Sequence, residues 1–480
     1  MKLRQWQSEC IESALEKFSI NKRHYLVLAT PGAGKTHMAS SLAKNMLEQG
    51  LIDLVICFSP SSVVCNDFTK TLEDVIGEKF DGKMGAKGCS LTYQSMQYLD
   101  EELWYLFEQH KILVIFDEIH HCAGSNIGNS NSWGEQIILN IQGKASYTLA
   151  LTGTPWRSDT APIVLSNYCD YTNKIQCDFI YGLSDAIRDG VCRLPQIVAI
   201  DNNDITVKKD KEHKSYSSFK DLLSHSSFPY QQVIQNKLLL THILEQANEK
   251  LDELRKVNPD AGGLVVASTV DHVMQIAELM RAHLNEDVSI ITYQEDDPTG
   301  LIRSYRNSDS KWVISIGMIS EGTNIPRLQV ICHLTRIKTE MYFRQINGRN
   351  LRITGHHNQD AYLFMPAEPK LLEYAYRIAD DIPEKADVVK FEKMNKSMLI
   401  DHQATEAEQF EEEKKPDLRV ELSDFIESVS INKTPLTEDN DTLPNSLIAS
   451  PTPKHTLSTN YEKTLSIFGR FRQEVLELGL

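Results

Sequence analysis

Ala29-Thr30-Pro31-Gly32-Ala33-Gly34-Lys35-Thr36 follows the apolar run Tyr25-Leu26-Val27-Leu28 and leads into Met38, Ala39, Leu42, Ala43 and Met46, apolar residues at helical spacing. Strand, glycine-bearing turn and helix in that order form the repeating unit of a doubly wound α/β sheet. The glycines permit positive φ and a close approach of backbone to ligand. The turn's amides and the helix start supply donors and a positive dipole end, which suit phosphate. Lys35 is spaced to reach the β and γ phosphates of a nucleoside triphosphate, and the Thr36 hydroxyl to bind Mg²⁺. Pro31, Gly32, Ala33 and Gly34 complete the cradle. Ala29 stands where the strict pattern has glycine.

A second buried strand is expected at Ile112-Leu113-Val114-Ile115-Phe116, which runs into Asp117-Glu118-Ile119-His120. Carboxylates at the C-terminal end of a parallel strand lie where open α/β sheets bind ligands. Asp117 is expected to hold the Mg²⁺, partly through water. Glu118 is expected to orient and deprotonate the attacking water. His121 and Cys122 have no second Cys/His pair at metal-ligand spacing and read as ordinary residues. Far downstream, Gln345-Ile346-Asn347-Gly348-Arg349-Asn350-Leu351-Arg352 offers arginines to the same phosphates.

With these residues in view, the chain resembles a superfamily 2 helicase-type ATPase with a DExH box, and ordered motifs span residues 3–352. Leu3-Arg4-Gln5-Trp6-Gln7 resembles the adenine-recognition segment, with Gln7 as base reader. Ser59-Pro60 and Leu91-Thr92-Tyr93-Gln94-Ser95 resemble strand-contacting motifs of the first lobe. Leu151-Thr152-Gly153-Thr154-Pro155-Trp156-Arg157 resembles the motif that links hydrolysis to movement. Val265-Val266-Ala267-Ser268-Thr269 resembles the opening of the second lobe, and Trp312 to Leu328 resembles motif V. Gln345 to Arg352 matches the closing Q-x-x-G-R-x-x-R pattern. The stretch from Trp312 to Arg352 is most similar to the group of restriction-enzyme motor subunits, UvsW-like phage helicases and RadD-like bacterial helicases.

The resemblance implies two tandem RecA-like lobes that close on ATP. It places Gln345, Arg349 and Arg352 on the second lobe, where the two arginines face the γ-phosphoryl group with planar, permanently charged forks. Gly322 and Asn324 then contact nucleotide, although Asn324 stands where the group usually has Asp. Ser59, Thr92 and Thr269 contact a bound strand.

Composition agrees with an α/β enzyme. The chain has 480 residues, of which 41% are hydrophobic, and 9 cysteines without a CxxC pair, which suggests reduced thiols in the cytoplasm. Charges throughout the first 25 residues argue against a signal peptide. No apolar run approaches the roughly 18 residues of a membrane span. With the adenine segment so near the start, no N-terminal targeting domain is expected. The net charge of −16 is unusual for a nucleic-acid binder, but residues 401–480 alone hold 16 acidic and 8 basic residues. A strand-binding groove is local, and amides and hydroxyls also contact phosphate.

The expected class is α/β: two doubly wound parallel-sheet lobes with a partly disordered, acidic C-terminal extension. Residues 1–195 are expected to form lobe 1, 196–245 a connector or small insertion, 246–385 lobe 2, and 386–480 the extension. Tyr216, Phe219, Phe228 and Tyr230 are expected to pack the connector onto a lobe, with contact to bases as the alternative, and a charged helix from Ile243 to Val257 opens lobe 2. Residues 431–460 have the Ser/Thr/Pro/Asn/Asp-rich composition of a linker. Phe468, Phe471, Val475 and Leu478 share one face of an expected terminal amphipathic helix. That helix either docks on the chain itself or binds a protein partner such as a nuclease.

The function expected is an ATP- and Mg²⁺-dependent helicase or translocase acting on DNA rather than RNA. Family analogy suggests phage replication or repair, or a bacterial defence or restriction-like system. The alternatives are a nucleic-acid-responsive ATPase switch that regulates a partner, and an RNA helicase. The chain shows no nuclease motif of its own.

Overall fold

The computed structural model describes residues 2–99, 101–155, 157, 161–172, 174–209, 212–317, 319, 323, 325–354, 360–378 and 464–476. Its first sheet is built from β1 (His24–Ala29), β2 (Leu54–Ser59), β3 (Gly88–Thr92), β4 (Ile112–Phe116) and β5 (Tyr147–Thr152). A short ribbon follows, β6 (Asn167–Tyr168) with β7 (Ile175–Gln176), and then β8 (Phe179–Tyr181). The sheet order is β3-β2-β4-β5-β1-β8 and every pairing is parallel. β2 and β4 are buried along their whole length, because apolar layers cover both faces of the sheet. Met38, Leu42 and Phe68 belong to one layer, and Phe58, Tyr93 and Phe116 to the other.

The second sheet opens with β9 (Leu194–Asn202), and β10 (Ile205–Lys209) and β11 (Glu212–Tyr216) form a hairpin beside it. β12 (Gly262–Val266), β13 (Val288–Ile291), β14 (Trp312–Ser315), β15 (Leu328–His333) and β16 (Asp360–Pro366) follow. β17 (Thr464–Ile467) and β18 (Phe471–Leu476) complete the set. The order is β13-β14-β12-β15-β16-β9-β18, parallel except where β18 lies antiparallel on β9. Two tandem parallel sheets of this kind make the RecA-like pair.

The expected boundary between lobes is moved by β9. Residues 196–202, expected in a connector, belong to the second sheet: 196–200 pair with β16 from Gln196↔Tyr362 to Ile200↔Pro366, and Asp201 and Asn202 pair with β18. The helix expected from Ile243 begins at Lys237, because the Asn236 side chain caps it by accepting the amides of Leu238 and Leu239. Phe219, Phe228 and Tyr230 are buried, so these rings pack as expected.

Among the described residues the expected terminal amphipathic helix is not present. Residues 464–467 and 471–476 are strands, on β10 and β9 respectively. Phe468 and Val475, two of the supposed helical face, are 66% and 49% exposed. The period of 3.6 crossed Gly469, which makes a turn. The Gly469 carbonyl accepts from Asn202 Nδ2 at 2.9 Å, and a Cβ there would lie 2.1 Å from Asn203 Oδ1. Ile467 and Leu476 are buried, and the Phe471 ring stacks on His242 at 4.5 Å. Leu478 and the linker at 431–460 lie outside the described residues. Among the described residues no helix is long and apolar enough to cross a membrane.

Candidate active site

β1 delivers the chain to Thr30, whose amide donates to the Tyr181 carbonyl at 3.0 Å and fixes the loop beside β8. Gly32 and Gly34 then take φ of 85° and 97°. Gly34 precedes the helix Lys35–Glu48, with Lys35 buried and Thr36 half-buried in its first turn. Neither glycine has room for a side chain without displacement: a Cβ on Gly34 would lie 2.9 Å from Gln7 Nε2, and one on Gly32 3.1 Å from Arg352 Cγ. Gln7 is buried, donates to the Gly34 carbonyl at 2.9 Å and accepts the Arg4 amide at 2.8 Å. The Arg4 guanidinium donates to the Ala33 carbonyl. The segment read as adenine-recognising is therefore clamped onto the loop read as phosphate-binding.

Lys35 Nζ lies 3.2 Å from the Ala29 carbonyl oxygen and 3.3 Å from Glu118 Oε1. Asp117 is buried at the end of β4, where its amide donates to Phe58 and its carbonyl accepts the Tyr93 hydroxyl, both at 2.8 Å. Glu118 takes φ of 51°, a left-handed conformation rare for a side-chain-bearing residue, and this turns its carboxylate toward the loop. The Gly153 amide donates to Glu118 Oε2 at 3.2 Å, and a Cβ on Gly153 would meet Lys35 Nζ at 2.9 Å. Burial alone would raise the Glu118 carboxyl, but the charge of Lys35 and the Gly153 amide hold it low. Asp117 is raised, first by burial and then by the charge of Glu118, with Lys35 opposing. Thr36 and Asp117 offer the hard oxygen donors that suit Mg²⁺.

The second lobe reaches this cluster through the helix Glu340–Asn347 and the turn after it. Gln345 Nε2 is 3.3 Å from His120 Nε2, and His120 Nδ1 is 2.9 Å from Thr152 Oγ1. Arg157 donates to the His120 carbonyl. Gly348 rests on Pro31, where a Cβ would approach the proline ring to 2.7 Å. Arg349 and Arg352 both donate to the Thr323 carbonyl, at 2.9 and 3.0 Å. Burial, then the charges of Arg349 and Arg306, lower the Arg352 guanidinium to about 9. Arg306 also reaches Asp67 of the first lobe at 3.6 Å. Gly322, Asn324 and Trp156 lie outside the described residues.

Thr92 ends β3, and Thr269 lies three residues beyond β12. Each caps a helical turn by accepting an amide at 3.2 Å, from Ser95 and His272 respectively. An accepting hydroxyl retains its own proton to donate to a phosphate. Ser59 does not share this geometry. Its side chain is fully buried at the end of β2, 3.8 Å from Cys57 Sγ, so the expected strand contact is corrected. Sequence reading also missed Arg4 as part of the loop clamp, and Cys192 and Arg193, which enter β9 beneath the arginines. No local pattern marked them, because their partners are backbone carbonyls distant in sequence.

Residues 1–157 match the model of a family described as "Type III restriction enzyme, res subunit". An uncharacterized protein of Mycobacterium tuberculosis is 28% identical over 389 residues, covering 78% of this chain and 62% of the relative. A Schizosaccharomyces pombe protein named as a mitochondrial ATP-dependent helicase, irc3, is 22% identical over 74% of this chain and 55% of its own length. The chain thus spans less than two thirds of these relatives. Among solved structures, a fragment assigned as the HsdR subunit of a type I restriction enzyme from Vibrio vulnificus matches with a TM-score of 0.52. That match has 15% identity and covers 79% of this chain and 67% of the fragment, and it supports the shared fold.

Proposed function

We propose that this chain, a superfamily 2 helicase-type protein by its motifs and its fold, hydrolyses ATP to move along nucleic acid, with DNA as its track. The observation that carries the reading is the contact of Gln345 on the second lobe with His120 on the first, 3.3 Å apart. It ties the segment bearing Arg349 and Arg352 to the segment bearing Asp117 and Glu118. Hydrolysis and lobe closure are then one event.

In this mechanism Gln7 reads the adenine base, and the amides of residues 32–36 cradle the phosphates. Lys35 turns from Glu118 and the Ala29 carbonyl to the β and γ phosphates. Thr36 and Asp117 would hold Mg²⁺, which when bound neutralises charge on the β and γ oxygens. Glu118, kept ionised, accepts a proton from the attacking water. Arg349 and Arg352 stabilise the charge that develops on the γ-phosphoryl oxygens. Gly322 and Asn324 complete the nucleotide contacts, and Thr92 and Thr269 grip the strand from opposite lobes.

DNA is favoured over RNA by the likeness of residues 1–157 to a restriction-enzyme subunit, which also favours a restriction-like defence or phage-replication setting. The test is steady-state ATPase with no nucleic acid, single-stranded DNA, duplex DNA or RNA, beside a strand-displacement assay. DNA stimulation is expected. An ATPase that ignores every nucleic acid would remove the motor reading, and stimulation by RNA alone would replace DNA as the track.

A further inference from the structure

The two lobes are joined by the helix Leu183–Arg188 and then Gly190-Val191-Cys192-Arg193, the entry to β9. Arg193 is 1% exposed. Its guanidinium donates to the carbonyls of Leu328, Asn350 (3.0 Å) and Pro326 (3.5 Å), and to Thr354 Oγ1 (3.3 Å). Its amide donates to the Leu351 carbonyl at 2.7 Å. These acceptors fall in two stretches. Residues 326–328 follow the segment whose Thr323 carbonyl receives both Arg349 and Arg352, and residues 350–354 enclose Arg352 itself. Next to Arg193, Cys192 pairs with Arg352 in an isolated antiparallel bridge, and its thiol reaches the Pro31 carbonyl at 3.5 Å.

From this arrangement we propose that Arg193 is a positioning residue for Arg352: from the inter-lobe connection, it staples the backbone on either side of Arg352 to the exit of the Thr323 segment. The inference rests on reading Arg349 and Arg352 as the groups that face the γ phosphate. Only a guanidinium fits the task. Its rigid fork presents five N–H donors in diverging directions, whereas an ammonium is a point charge on a flexible stem. Loss of the fork leaves several buried carbonyls without their donor and frees the 350–354 backbone to shift. A displacement near 1 Å at a catalytic group costs about a hundredfold in rate. The inter-lobe connection and the backbone around Arg352 thus share one side chain.

The experiment uses the full chain, with Arg193→Lys and Arg193→Gln each made in the wild-type and the Arg352→Ala backgrounds. Lysine keeps the buried cation and loses only the fork. In the wild-type background both variants are expected to lower kcat by about tenfold or more while KM for ATP stays within about twofold. In the Arg352→Ala background the same changes are expected to leave kcat where Arg352→Ala already put it, since residues acting as one unit are not additive. The proposal is overturned by an unchanged kcat in the wild-type background. It is equally overturned by a KM that rises in step, or by equal losses in both backgrounds, the pattern of a general loss of fold. Should Arg352→Ala alone turn over ATP like the wild type, the reading of the arginines fails instead, and the Arg193 data are not needed to see it.

Discussion

At the scale of single residues, the site separates binding from chemistry. Lys35→Ala removes the cation proposed to face the phosphates and is expected to abolish ATP turnover. Glu118→Gln keeps the shape of the turn but cannot take a proton, so ATP binding is expected to persist while hydrolysis stops. Nucleotide titration beside phosphate release checks both, and normal turnover in Glu118→Gln would sink the assignment of the base. Arg352→Ala is expected to cost about a hundredfold or more in kcat with a much smaller change in nucleotide affinity, because its contact strengthens as charge develops. A variant that lost affinity alone would deny the arginine its role in the transition state. Most of these residues were legible because phosphate chemistry demands glycine, lysine, hydroxyl and carboxylate at fixed offsets. Ser59 misled because a hydroxyl at a strand's end looks the same in sequence whether it faces solvent or, as here, Cys57. Arg193 was illegible because its partners are carbonyls, which every residue carries.

At the scale of elements, periodicity was reliable where a strand lies inside a parallel sheet and unreliable at the sheet's edge. β4 is an unbroken apolar run, and β2 is one as far as Phe58, each with both faces covered, and such runs leave little choice of structure. β18 reads Phe471-Arg472-Gln473-Glu474-Val475-Leu476, with four consecutive exposed residues, so its pattern resembled a helix face. Removing residues 464–476 uncovers the β9 edge and takes Ile467, Phe471 and Leu476 from their packing. A lower melting temperature and concentration-dependent association are expected, because an open edge is a template for pairing. Basal ATPase per folded molecule should persist, since every residue assigned to nucleotide lies before Thr464. An unaltered melt would mean that the strand adds nothing to the sheet. Thr92 and Thr269 each cap a helical turn, one in each lobe. Thr92→Ala with Thr269→Ala is expected to weaken stimulation by nucleic acid while basal turnover persists, and unchanged stimulation would place the strand elsewhere.

At the scale of the molecule, both lobes bury histidines in their neutral form. Burial lowers His24, His272 and His333 from 6.5 to about 4 and depresses His120 well below 6.5. Between those values the unfolded chain binds protons that the folded chain refuses, so stability falls as pH drops from about 6.5 toward 4 and is fully present above that window. Each histidine contributes up to about 1.4 kcal/mol per pH unit inside it. Urea unfolding at pH 7.5, 6.0 and 5.0, buffer values chosen at about one-unit spacing, should show the midpoint moving down with pH. A flat profile would mean that these rings titrate normally in the folded chain. The pairing of β18 with β9 also sets an order of assembly. The Arg472–Asp201 contact joins residues 271 apart in sequence. Closing such a loop costs roughly 3 kcal/mol more than closing a ten-residue hairpin, since the entropy grows with the logarithm of length. In refolding from denaturant, the indole of Trp312, fully buried in β14, should regain its native emission before the amides of β18 acquire protection from hydrogen exchange. In that interval two half-built molecules can exchange their last strands, and the yield of monomer should fall as the refolding concentration rises.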